Sequence, residues 1–177
     1  MALIYYPFET IHPFPDGNGR VGCLLIPLLL LLLAAGALSQ PLFYLSAYFE
    51  KHRQRYYDLL LAVSRDGAWG EWIGFFLNGV IEQCADATAR SDRLLALRDR
   101  YRDQVQQARA SGLLLQLIDH LFEVPVISIP RAAAHLNVTY HTARGQVSRL
   151  ADSAILRPID NTWPRLYRAD EIISIVQ

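Results

Sequence analysis

The sequence predicts a mainly α fold, a helical bundle followed by a small winged helix-turn-helix domain, and three observations support this prediction. A charge-free apolar run covers residues 21–38 directly behind a turn-rich loop. Apolar residues recur at helical spacing across 42–63 and again over 72–84, which is typical of helices that pack on one face. Beyond 111–112 the pattern changes to helix, helix, turn, helix and hairpin, the order of a winged helix.

The first part of the chain is predicted to consist of helices around one loop. Residues 1–10 end a helix that runs into the loop, and a break near 39–41 follows the apolar run. The next helix ends near Gly67, and a further helix covers 69–110. Beyond Asp86 this last helix carries opposite charges close together, which predicts a solvated connecting helix; a partner-binding surface is the alternative.

The last part of the chain is predicted to be the winged helix-turn-helix domain. Asn137 makes its turn, and Thr139 suits the N-cap of the recognition helix because its hydroxyl can accept from free backbone N–H groups. The predicted elements are a helix over 113–122, a strand over 124–129, helices over 131–136 and 139–151, and strands over 155–159 and 165–168.

The apolar run over 21–38 is near the lower limit of length for a membrane-spanning helix. Gly22, Pro27 and Gly36 interrupt it, and no basic cluster follows its far end as a topology signal would. We therefore expect no membrane partner and interpret the run as a helix enclosed by others in the bundle. Alternatively, its leucines form a surface that further N-terminal helices would cover; without them, the exposed apolar surface favours self-association into a homo-oligomer.

Seventeen basic residues balance seventeen acidic ones, so the chain has no net charge. The overall charge therefore favours neither nucleic acid nor an anionic membrane as a partner. The two cysteines, Cys23 and Cys84, lack CxxC spacing, which predicts a reduced cytoplasmic protein without a disulfide or zinc site. His52, His120 and His135 have no metal-ligand spacing, and we assign them no metal.

Nine consecutive residues combine groups that suit a polyphosphate. His12 belongs to the residue type that most readily accepts a proton near neutral pH. Asp16 offers a hard oxygen of the kind that Mg²⁺ takes when it also holds substrate phosphates. Gly17 and Gly19 can turn backbone N–H groups toward an anion, and Arg20 supplies a fork of donors for phosphate oxygens. Since a helix follows, its dipole also favours an anion there.

An ordinary solvated turn is the alternative for the Gly-Asn-Gly-Arg segment alone. The whole string is more specific, because histidine and phenylalanine precede it at fixed spacing. It resembles the Fic family signature, His-Pro-Phe-x-Asp/Glu-Gly-Asn-Gly-Arg-x-x-Arg, which residues 12–20 match position by position. Further segments, 39–41, 44–50 and 69–77, are similar to helices that follow the motif in Fic proteins with a C-terminal winged helix.

The resemblance implies a mainly α Fic-type bundle that transfers AMP from ATP, with Mg²⁺, onto a Ser, Thr or Tyr hydroxyl of a protein target or of itself. By resemblance His12 is the general base and Asp16 the Mg²⁺ ligand. The implied nucleotide- and phosphate-binding residues are Phe14, Gly17, Asn18, Gly19 and Arg20. Independently of it, the aromatic residues Tyr48, Phe49 and Tyr56 form either an adenine pocket or ordinary core.

Two departures from the family pattern affect this expectation. The family's second arginine, which generally contacts the terminal phosphate, is Cys23 here. Few residues precede the motif, so we expect residues 1–110 to be a Fic catalytic domain that lacks the N-terminal helices and the flap. Residues 111–177 are then the winged helix-turn-helix domain.

The winged helix has its own candidate contacts for DNA or a protein partner: Arg144, Arg149, Arg165 and Arg168. Winged helices bind DNA and also dock proteins, so the fold alone decides neither. The alternative to an enzyme is accordingly a non-catalytic regulator or toxin–antitoxin component that binds DNA or a protein through this domain.

Overall fold

The structure, a computed structural model, describes residues 1–33, 45–107 and 111–176. The chain divides into two compact units, Met1–Thr88 and Ala89–Gln177. Each has its own hydrophobic core and is described by itself. The fold is mainly helical with one small sheet, as predicted.

The first unit is built from helices around the predicted loop. The elements are α1 (Ala2–Ile11), α2 (Asn18–Leu33), α3 (Leu45–Lys51), α4 (Arg53–Asp66) and the beginning of α5 (Trp69–Gln107). A turn at His52 divides the single helix expected over 42–66. Gly67 ends α4 in the left-handed conformation, as its position predicted. The break expected at 39–41 lies outside the described residues.

Aromatic side chains form the centre of the first core. Trp72 on α5 is fully buried, and its ring stacks on that of Tyr5 with centroids 6.3 Å apart. Its indole N–H donates to the backbone oxygen of Ala2 at 3.1 Å. Aromatic pairs of this kind contribute about 0.5–1.5 kcal/mol each beyond the area that they bury. These contacts fix α1 on α5, and so they fix the start of the loop that follows α1.

Helix α2 is not enclosed on all sides, and that prediction is wrong for the part that the structure describes. Ile26 is buried, but Leu24 and Leu28 are 70% and 54% exposed. The all-apolar composition of the run concealed this difference between its faces. No helix within the described ranges is both long and apolar enough to cross a membrane.

The second unit has the predicted winged-helix order. Its elements are α6 (Gly112–Glu123), β1 (Val126–Ser128), α7 (Ile129–Leu136), α8 (Tyr140–Asp152), β2 (Arg157–Ile159), β3 (Leu166–Arg168) and α9 (Asp170–Val176). The sheet is antiparallel with β3 in the middle, so Arg168 faces Val126 on one side and Arg157 on the other. Thr139 caps α8 by accepting from the N–H of Thr142.

The second core also includes one side of the charged part of α5. Leu97, Tyr101 and Val105 are buried in the same cluster as Leu117 of α6. Burial raises the pKa of the Tyr101 phenol to about 12. The second compact unit therefore begins within α5, at Ala89. The boundary at 110/111, where the sequence predicts that the Fic-type part ends, stays a prediction.

Candidate functional site

The loop between α1 and α2 begins where α1 can no longer continue. His12 has a left-handed backbone with φ of 52°, and its N–H donates to the oxygen of Phe8 at 3.1 Å. Pro13 and Pro15 follow, and proline disfavours a helical conformation in the residue before it. Gly17 also has positive φ, at 83°, which glycine adopts without strain. The chain therefore leaves one helix and enters the next within six residues, 12–17.

The imidazole of His12 is held by its own helix. Nδ1 lies 2.7 Å from the backbone oxygen of Glu9. Because a carbonyl oxygen can only accept, Nδ1 is the nitrogen that carries the hydrogen in this bond. In the neutral ring Nε2 is then the unprotonated nitrogen, and the side chain is exposed. This is the arrangement that a general base needs.

Asn18 holds the two ends of the loop together. Its side-chain oxygen accepts from the N–H of Phe14 at 2.9 Å, and its amide donates to the oxygen of Phe14 at 2.7 Å. The residue is only 4% exposed. The side chain is thus committed to the shape of the loop, and the backbone N–H is the group that Asn18 can offer to a phosphate.

The N-terminus of α2 offers backbone donors for which the described part of the chain supplies no acceptor. The N–H of Val21 is bonded to the oxygen of Gly17 at 3.0 Å, which closes the first helical turn. The N–H groups at 18–20 precede this bond, at the positions that in any helix lack an intrahelical acceptor. A side chain built at Gly19 would meet nothing within 4 Å, so this backbone is open to an incoming group. The geometry suits an anion.

Asp16 and Arg20 are paired across this turn. The carboxylate Oδ2 lies 3.2 Å from Nη2 of Arg20, and Oδ1 accepts from the N–H of Gly17 at 2.6 Å. Both side chains are largely exposed, so the ion pair contributes little to stability and can rearrange. A single hard carboxylate beside a phosphate site fits Mg²⁺, which commonly takes one or two carboxylates together with phosphates and water. Within the described ranges, no three His, Cys, Asp or Glu residues form a metal cluster.

A cavity of about 1020 Å³ adjoins the loop within the first unit. Its lining residues include Gly19, Arg20 and Cys23 of α2 and the aromatic Phe49 of α3. The remaining lining residues are Tyr5, Glu9, Leu24, Pro27, Leu45, Ser46, Ala47, Glu50, Arg53, Tyr56 and Tyr57. The structure thus brings Gly19 and Arg20 together with two of the three aromatic residues suggested for adenine.

The other predicted site residues of the first unit do not line this cavity. Tyr48 is buried, with its ring 5.0 Å from that of Phe75, and it does not line the cavity. His12, Phe14 and Asp16 belong to the loop and are not among the lining residues either. The loop and the cavity therefore meet at the first turn of α2.

The sequence did not indicate the role of Glu9 beside this site. Its backbone oxygen holds His12, while its side-chain Oε1 is buried and has no hydrogen-bond partner within the ranges that the structure describes. That oxygen packs on Gly22, where a side chain would overlap it. Burial raises the pKa of the Cys23 thiol, and the charge of Glu9 raises it further. The only sequence signal was the position of Glu9, three residues before the histidine.

The winged-helix arginines differ in their surroundings. Arg168 pairs with Asp170 at 2.6 Å, and Arg157 approaches the same carboxylate at 3.7 Å. Arg144 and Arg165 are exposed and have no ion pair within the described part of the chain. The fourth predicted contact, Arg149, is half-buried on α8.

The fold and the loop together describe one class of protein. Such a protein is mainly α, its loop of sequence His-Pro-Phe-Pro-Asp-Gly-Asn-Gly-Arg joins two helices, and a winged helix follows. The family model described as Fic/DOC family matches residues 1–30. This match covers the segment that carries the motif, and it supports the resemblance to Fic domain family proteins found in the sequence. The matched segment contains α1, the loop and most of α2; the cavity walls formed by α3 and α4 lie outside it.

Proposed function

We propose that this protein transfers AMP from ATP to a protein hydroxyl. The observation that carries the proposal is the hydrogen bond from Nδ1 of His12 to the Glu9 carbonyl, which leaves Nε2 as the proton acceptor. The acceptor hydroxyl belongs to a Ser, Thr or Tyr of a partner protein or of the chain itself. The match of residues 1–30 to the Fic/DOC family model is consistent with this activity.

The reaction is a displacement at the α-phosphorus of ATP. As the hydroxyl oxygen forms its bond to phosphorus, its proton passes to Nε2 of His12. The bond from the α-phosphorus to the bridging oxygen breaks, and pyrophosphate leaves with that electron pair. Most of the catalysis is positioning and charge stabilisation, as in phosphoryl transfer generally.

The chain's own groups divide these tasks among them. Backbone N–H groups at 18–20 and the guanidinium of Arg20 bind phosphate oxygens, because both are donors at a helix N-terminus. Asp16 would hold Mg²⁺, which supplies positive charge against the phosphates when bound. Phe49 and Tyr56 offer the aromatic wall of the cavity to the adenine ring.

The test is label transfer from α-labelled ATP with Mg²⁺, using the whole chain and cell extract as the source of targets. We expect label on protein with the wild type and none with His12→Ala. His141→Ala, an exposed histidine of the second unit, is the matched control and should label as the wild type does. Labelling that survives His12→Ala would disprove the assigned base.

A second readout separates the pocket from the chemistry. Nucleotide that binds the native state raises the unfolding temperature by mass action. We expect Mg-ATP to raise the melting temperature of both the wild type and His12→Ala, since the base does not hold the nucleotide. If ATP protects neither protein, the adenylyl-transfer proposal fails at the binding step.

A further inference from the structure

One face of α8 is exposed, polar and free of acidic residues over most of its length. It is formed by His141 and by the residues three, four and seven positions after it, which are Arg144, Gly145 and Ser148. All four are exposed. The opposite side of the helix is buried in the second core. The single carboxylate of α8 is Asp152, at its last position.

Nothing within the described residues requires a glycine at position 145. Its φ is not in the left-handed region, and a side chain built on it would meet nothing within 4 Å. Glycine in a helix interior is nevertheless destabilising relative to alanine. A glycine at such a position lets a partner's surface approach the helix backbone closely.

The charges around α8 favour an anionic partner. Six arginines stand against two aspartates between Arg131 and Arg168, although the whole chain is neutral. Asp170 pairs with Arg157 and Arg168, whereas Arg144 and Arg165 have no carboxylate within ion-pair distance among the described residues. Among the described residues of this segment, the arginines without an ion pair are therefore Arg131 on α7, Arg144 and Arg149 on α8, and Arg165 in the wing, which we define as residues 160–165 between β2 and β3.

The wing also carries Trp163, whose side chain is 99% exposed. An indole is a large apolar group, and its full exposure is unfavourable unless a partner covers it. Next to it, Arg165 lies over the ring of Tyr167 at 6.0 Å. An apolar side chain flanked by arginine suits contact with sugar or an unstacked base step beside phosphates.

We propose that the winged-helix unit binds double-stranded DNA, with the exposed face of α8 in the major groove and the wing against the neighbouring backbone. Arg144 and Arg165 contact phosphates, Gly145 allows close approach, and Trp163 packs on the sugar or base edge. This inference goes beyond adenylyl transfer and does not depend on it.

The experiment is fluorescence anisotropy of the whole chain with a labelled mixed-sequence duplex of about 20 base pairs, from about 50 to 200 mM salt. We expect affinity to fall as salt rises. Arg144→Ala and Arg165→Ala should each lower the slope of log affinity against log salt by about one. Arg65→Ala, an exposed arginine of the first unit, is the control and should leave the slope unchanged.

Gly145→Ala distinguishes a role of Gly145 in DNA binding from a role in the fold alone. We expect it to raise the melting temperature, because alanine favours the helix, and yet to weaken DNA binding. Gly70→Ala, equally open but in the first unit, should leave DNA binding unchanged. No binding at the lowest salt overturns the proposal, and so does binding that none of the three substitutions on α8 and the wing weakens. A partner protein held through the same arginines, without DNA binding, also overturns it.

Discussion

The side chain of Asn18 makes two hydrogen bonds to the backbone of Phe14, one as acceptor and one as donor. The two bonds close the loop across four residues, and Asn18 is almost fully buried, whereas Phe14 is 47% exposed. The asparagine of the motif therefore acts first on the loop itself, and the phosphate-binding backbone depends on it.

Asn18→Ala should lower the free energy of unfolding by about 2 kcal/mol, because two hydrogen bonds are lost and two backbone groups become unsatisfied. The measurement is urea unfolding. Asn78→Ala, on the exposed side of α5, is the control and should change stability by less than about 0.5 kcal/mol. Equal midpoints for the two variants would show that the Phe14 contact is not structural.

Gly17 and Gly19 should separate stability from binding. Gly17→Ala should lower stability by about 1–2 kcal/mol, since alanine is strained at positive φ. Gly19→Ala should leave stability unchanged or slightly raised, because its space is open, but it should abolish the rise in melting temperature that Mg-ATP produces. Thermal unfolding with and without nucleotide measures both effects. Undiminished protection of Gly19→Ala by ATP would place the phosphates elsewhere.

Cys23→Arg should restore a donor at the family's second arginine position and bind ATP about tenfold more tightly, an effect of about 1.4 kcal/mol. ADP should gain less, because it lacks the terminal phosphate. Isothermal titration measures both affinities. The buried oxygen of Glu9 faces the same region and competes for the new guanidinium, so Glu9→Gln with Cys23→Arg should gain at least as much. Unchanged affinity in both variants would show that residue 23 does not contact phosphate.

The two thiols should react at different rates. Burial and the charge of Glu9 raise the pKa of Cys23, so at a given pH less of it is thiolate, whereas Cys84 is exposed. With a thiol reagent at pH 8 we expect Cys84 to react first and Cys23 slowly, with the slow phase accelerating as pH rises. Cys84→Ser should remove the fast phase only. If it removes the slow phase instead, the assignment is reversed.

Gly79 and Gly74 form a matched pair on α5. A side chain at Gly79 would lie 2.6 Å from the ring of Tyr48 and 3.0 Å from Leu45, whereas one at Gly74 would meet nothing within 4 Å. Gly79→Ala should therefore lower the free energy of unfolding by about 1–3 kcal/mol through overpacking. Gly74→Ala should raise it by up to about 1 kcal/mol. Thermal unfolding of both variants measures the difference, and equal melting temperatures would contradict it.

The sequence predicted those features that local signals determine. Proline and glycine marked the loop after α1, Gly67 marked the end of α4, and Thr139 marked the start of α8. The turn at His52 was missed because apolar spacing continues across it. Helix α9 was missed as well, although Asp170 and the residue after it supply the acidic first turn of a helix.

The site was predictable in its residue types and less so in their contacts. The Asn18 side chain closes the loop through its hydrogen bonds to the Phe14 backbone, and these bonds depend on the path of the chain between the two residues. The spacing of residues in the sequence does not reveal that path. Leu24 is exposed because α2 has packing partners on one side only within the described residues, and an all-leucine stretch gives no sign of which side that is. The unpaired oxygen of Glu9 depends on three-dimensional packing in the same way.

Because Glu9 packs on Gly22, the mutations tolerated at position 22 depend on the residue at position 9. Any side chain at 22 collides with the carboxylate that stands one helical turn before the histidine, so substitutions there depend on what occupies position 9. A shorter residue at 9 would remove this clash and leave only the tight contact of alanine at 22 with the ring of Tyr5, at 3.2 Å, while keeping the backbone carbonyl that orients His12. Variation at these two positions is therefore epistatic, and a library that varies both together reaches functional sequences that single changes do not.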